Sequence, residues 1–148
     1  MKLTTLKSKL LTLDNTDIAQ VVFDQNKYLA NVSHQEKSYP LVVWCFNNAK
    51  YKADHRSSTI QKIEIVTMTV FIIEYFDHFT EDEDRKLDIW DKVREYFTDY
   101  INMIDQDSAI QVVNIADLKG QYIPEGVIDQ NKEIGIMYEV ELRLFCNA

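Results

Sequence analysis

Carboxylates are the chemically capable residues of this chain, and they fall into two sets. The first is Asp77, Glu81, Asp82, Glu83 and Asp84, with His78 among them. Such a set can ligate a divalent cation and activate a bound water. A calcium loop, however, alternates its ligands around a glycine turn, and neither feature is present. Acidity gathered at the positive end of a helix is the better reading. The second set is Asp84, Asp88, Asp91, Glu95 and Asp99. Spaced by three or four residues, these form one tight stripe on a helix. Like charges at that spacing cost about 0.2–0.5 kcal/mol per pair. A stripe kept only for solubility would normally mix signs. This face is therefore expected to meet something basic or to repel something acidic.

The other reactive side chains are poorly arranged for chemistry. His34, His55 and His78 sit among polar residues, with no HxxxH or HExxH spacing, and read as solvated. Cys45 and Cys146 lie in apolar runs, as inert buried thiols do. The glycines are Gly120, Gly126 and Gly135, too few and too scattered for a phosphate-binding loop. No catalytic residue, metal site or cofactor is expected. A basic stretch, Lys50, Lys52 and Arg56 beside Tyr51, is too small for a nucleic-acid surface. It reads as a solvated loop or as the cationic half of a protein contact.

Charge sets further bounds. The 148 residues carry a net −8, which argues against binding a nucleic-acid backbone or an anionic membrane. Residues 1–62 hold nine Lys/Arg and five Asp/Glu, a net of +4. Residues 63–148 hold seven Lys/Arg and nineteen Asp/Glu, a net of −12. Such a chain can attract a second copy head to tail, and that contact closes into a ring if the rotation permits. The alternative is that the two parts interleave in the fold and the asymmetry is lost. No secretory signal is read at the start, and the apolar run 66–73 is too short to cross a bilayer.

The elements that must carry these residues follow from periodicity. Leu3, Leu6, Leu10, Leu11 and Leu13 predict a short amphipathic N-terminal helix. Residues 18–23 fit strand or helix. Leu41 to Phe46 is apolar on both faces, as an interior strand is, and Pro40 opens it. Residues 47–59 read as a polar loop. A long strand is predicted over 60–75, with a change of apolar phase near Ile65 and Val66 that suggests a bulge. Thr80 and Glu83 match a capping box before a helix over 84–104. Its apolar side is read as Leu87, Trp90, Val93, Phe97, Ile101 and Ile104, with Tyr96 and Tyr100 at the border. A short strand over 110–115, turns at Lys119-Gly120 and Pro124-Glu125-Gly126, and a strictly alternating strand over 134–146 complete the order. The sum is one α+β domain over 1–148: a mainly antiparallel sheet crossed by one long amphipathic helix, with a short N-terminal helix.

This order resembles a known family. A leucine-rich start precedes Tyr39-Pro40-Leu41-Val42-Val43-Trp44. A long strand and an acidic-capped helix with Leu87, Ile89 and Trp90 follow, and Gly135-Ile136-Met137-Tyr138-Glu139-Val140-Glu141-Leu142 closes the domain. The pattern is similar to the tail terminator, or tail completion, proteins of tailed bacteriophages and prophages. Head–tail joining proteins of similar size share the layout. The resemblance implies a structural protein of the virion tail, assembled in the bacterial host cytoplasm. It implies a hexameric ring that caps the tail tube and docks to the head connector, with DNA sliding through the lumen. It carries over no catalytic residues. It also implies a long extended hairpin or loop, for which 47–59 and 120–132 are the candidates.

Two other readings stand beside it. One is a small adaptor whose acidic helix binds a basic protein, with binding that weakens in salt. The other is a metal-dependent hydrolase using Asp77, Asp82, Asp84 and His78.

Overall fold

The strict alternation near the end of the chain becomes the strand that organises the sheet. The computed structural model describes residues 2–13, 17–23, 34–54, 61–123, 128–129 and 131–145; for 34, 48–54 and 61–64 it describes the backbone. Strand β6 (Glu133–Leu144) has β3 (Gln61–Tyr75) along one edge. Along its other edge lie the short β4 (Ile110–Val112) and β5 (Gly120–Tyr122). β2 (Leu41–Asp54) pairs antiparallel with β3, and β1 (Gln20–Phe23) pairs parallel with β2. The order across the sheet is β1-β2-β3-β6-β4, with β5 also on β6. Helix α1 (Leu3–Thr12) and the long α2 (Glu83–Asp105) complete an α+β fold whose sheet is mixed but mostly antiparallel. The parallel β1 resolves Gln20–Phe23 of the ambiguous segment 18–23 as strand.

Alternation decides which side chains make the core. Ile134, Ile136, Tyr138, Val140, Leu142 and Leu144 of β6 join Val66, Met68, Val70 and Ile72 of β3 beneath α2. Tyr138 stacks on Phe97 with ring centroids 3.9 Å apart and planes at 6°. From β2, Val42 and Trp44 enter the same core, while Leu41, Val43 and Cys45 turn to the opposite face. There they meet Phe71, Ile73 and Ile128. The doubly apolar run at 41–46 thus reflects a strand covered on both faces. Trp44 is fully buried, and its indole N–H donates to the Tyr100 hydroxyl at 3.0 Å. Burial drives the Tyr100 phenol up to about 12.

Four local expectations are corrected. First, the polar stretch 47–59 is not simply a loop. β2 continues to Asp54 and stays in register with β3 as far as Asp54 opposite Gln61. Backbone pairing carries a strand here that apolar patterning does not announce; residues 55–60, with Arg56, lie outside the described residues. Second, the bulge falls on β2, between Phe46 and Asn48, while β3 runs unbroken along β6. The change of apolar phase in β3 marks the region where its second face becomes covered.

Third, the helix cap is Asp82, whose carboxylate accepts from the Arg85 backbone N–H at 2.9 Å. Thr80 belongs to the preceding turn, with its N–H on the Asp77 carbonyl, so the Thr80–Glu83 box does not form. Fourth, the buried face of α2 is Ile89, Val93, Phe97, Tyr100, Ile101 and Ile104. It is turned towards Ile89 and Tyr100 and away from Leu87, which is 52% exposed, and Trp90, which is half-buried.

Candidate functional site

The acidic stripe lies where helical spacing puts it. Asp84, Asp88, Asp91, Glu95 and Asp99 are all exposed, on the side of α2 opposite its buried residues. The rest of the outer surface is less uniform than the stripe. Arg94 donates to the Asp91 carboxylate at 2.6 Å, and Arg85 lies 3.5 Å from Glu81. Pairs this exposed contribute little to the fold. Lys50 and Lys52 sit two apart on β2, opposite Ile65 and Ile63. The third basic candidate, Arg56, lies outside the described residues.

The acidic residues before α2 do not converge either. Asp77 accepts from Lys132 Nζ at 2.7 Å and from the Phe79 N–H at 3.0 Å. The Lys132 hydrogen bond holds the Asp77 carboxyl below the usual range, and Asp77 holds the Lys132 ammonium above its own. Asp82 is committed to the helix cap, and Asp84 faces outward. His78 lies edge-on to Phe76, with centroids 4.6 Å apart. Among the described residues, no three His, Cys, Asp or Glu side chains are placed to hold a metal ion.

One polar assembly was not visible in the sequence. Lys37 and Glu133, 96 positions apart, both have side chains shut off from solvent. Lys37 Nζ donates to the two carboxylate oxygens at 3.0 and 3.1 Å, the Tyr39 hydroxyl donates at 2.6 Å, and the Asp129 N–H at 3.0 Å. Burial, then the carboxylate it serves, pushes the Tyr39 phenol well above its ordinary value. A carboxylate held by three donors through four hydrogen bonds is committed on both oxygens, so this is a structural junction. It ties the segment before β2 to the start of β6.

Beside that junction a cleft of about 420 Å³ opens between the first half of α2, the end of β5 and the start of β6. Ile123, Ile128, Ile134 and Gly135 line it, together with Trp90, Tyr122, Lys86, His78, Asn131 and Glu133. Trp90 and Tyr122 stack at 4.2 Å. Nothing in the sequence reading joined these residues.

Neither a protein-family model nor a curated protein matches this chain. No helix among the described residues is long and apolar enough to cross a membrane. The functional reading thus rests on the charge layout and the surface geometry.

Proposed function

We propose that this chain is a structural assembly protein of a phage or prophage virion. It resembles tail terminator proteins and acts by forming a ring at the head–tail junction. The observation that carries the reading is the sheet order. β1 and β2 come from the net-positive residues 1–62, and they occupy one edge of the sheet. β6, β4 and β5 come from the net-negative residues 63–148, and they occupy the other edge. β3 runs between them. The two parts lie side by side in the sheet, while Lys9–Asp107 and Lys37–Glu133 pair across them; the charge that these pairs leave over would favour head-to-tail contact.

The acidic stripe suits a lumen that DNA crosses without sticking, because copies in a ring multiply its repulsion. The β2–β3 hairpin, paired out to Asp54 and Gln61, supplies the extended element that the family layout calls for. Light scattering on the purified 17.4 kDa chain over a range of concentrations and salt tests the proposal. The expected result is a discrete salt-sensitive oligomer, with closed rings in electron micrographs. A strict monomer throughout, with no binding to a tail-tube protein, overturns it. One-to-one capture of a basic protein instead would favour the adaptor reading.

A further inference from the structure

Phe79 is 77% exposed, more than any other large apolar side chain among the described residues. A leucine half in water is ordinary, but a phenyl ring held out on a fixed turn calls for a partner. Hydrogen bonds fix the turn. Asp77 accepts from the Phe79 N–H through its side chain and from the Thr80 and Glu81 N–H groups through its carbonyl. Its own N–H donates to Glu81 at 2.8 Å, and the His78 N–H donates to the Asn131 carbonyl at 3.1 Å. An aromatic side chain on a backbone pinned in this way loses little freedom on contact, which suits an interface anchor.

Beyond this anchor the start of α2 is acidic. Asp82, Glu83, Asp84 and Asp88 are exposed, as is Leu87, while Arg85 lies 3.5 Å from Glu81. The opposite combination occupies α1. Leu6 and Leu10 are fully buried, and Leu3, Lys7 and Leu11 follow at four-residue spacing on an exposed flank. Lys2 is exposed too, Lys7 Nζ lies 5.9 Å from the Phe23 ring centroid, and Lys9 is paired with Asp107. One surface is therefore apolar and acidic, and the other is apolar and basic.

These surfaces cannot meet within one chain. The Lys9–Asp107 pair ties α1 to the C-terminal end of α2. The 23 residues of α2 span about 35 Å and the 10 of α1 about 15 Å, so α1 cannot extend to Glu83.

We propose that the flank of α1 bearing Leu3, Lys7 and Leu11 docks on the start of α2 in a second copy, with Phe79 as the apolar anchor. Lys2 and Lys7 then face Glu83, Asp84 and Asp88, and Leu3 and Leu11 cover Phe79 and Leu87. Each bound copy still offers one free surface, so the contact propagates head to tail. This inference rests on the ring reading above and names the two surfaces that form its contact.

The test is light scattering on the full chain, with circular dichroism to check the fold of every variant. The natural chain should associate. Phe79→Ser should weaken association by about tenfold or more, as loss of a central aromatic anchor does. Lys2→Glu with Lys7→Glu, and separately Glu83→Lys with Asp88→Lys, should each yield monomers, because each gives both surfaces the same sign. Mixed one to one, the two reversed chains should associate again, since every contact in an alternating assembly then joins opposite charges. Association that is unchanged by Phe79→Ser or by either reversal overturns this inference and leaves ring formation standing. So does a mixture that stays monomeric. A natural chain that is monomeric throughout overturns ring formation, and this inference with it.

Discussion

Around Glu133 the charges are out of water and fully satisfied; along the outer face of α2 they stand in water, with Asp91 joined to Arg94 across the surface. Both regions are built from ionisable groups, yet solvent gives them different weight. In the junction, every donor exists to offset the cost of burying one carboxylate. Removing a single member leaves the rest exposed to that cost. On the helix, water already screens each carboxylate, and any one of them can change with little effect on the fold. The junction is thus specialised for holding the chain together, and the stripe is available for contacts with something else.

The sharpest way to break this comparison is at the junction. Glu133→Ala or Lys37→Ala should each lower unfolding free energy by about 3–5 kcal/mol, because each strands a buried charge. The double variant Lys37→Met with Glu133→Leu should recover most of that loss, since it removes both charges together. Urea unfolding measures all three. A double variant as unstable as the singles would show that the surrounding donors, rather than the charge pair, set the cost.

A smaller effect is expected at Asp77, which lies between the two extremes. Its carboxyl is held below the ordinary value by Lys132, so its contribution is present above the usual aspartate range near pH 4 and is lost as pH falls through its folded-state value. The raised Lys132 group contributes below the usual lysine range and is lost as pH climbs through its folded-state value. The stability gap between the natural chain and Asp77→Asn should therefore be widest between these limits and close at both ends. Melting temperatures across a pH series check this.

Least is expected of the stripe. Replacing Asp88, Asp91 and Glu95 by their amides should move monomer stability by about 0.5 kcal/mol or less, with slight gains where like charges at i,i+4 are relieved. The same protein should show altered association by light scattering. A large loss of stability would place these side chains in the same class as Glu133.

What the sequence disclosed follows the same division. The stripe was legible because helical spacing is local, and β6 was legible because alternation is local. The buried face of α2 was legible only to within part of a turn. Ile89 and Tyr100 lie inside it and Leu87 outside, because the sheet beneath, rather than the helix itself, fixes the final rotation. The outer half of β2 was missed because its residues are polar and its strand character comes from pairing with β3. Glu133 precedes the apolar alternation of β6, and Lys37 sits in a polar stretch, so neither carries a local sign of burial. Only closure of the chain over 96 positions brings them together. The Trp90–Tyr122 cleft was hidden for the same reason.

The position of β6 in the sheet also bears on how the protein is made. It is the last of the described strands to leave the ribosome, yet β3, β4 and β5 all hydrogen-bond to it. Until it arrives, Phe97 has no Tyr138 to stack on, and much of the apolar underside of α2 has no floor. A nascent chain stalled before residue 133 would therefore display the sticky side of its longest helix, a natural target for chaperones and proteases.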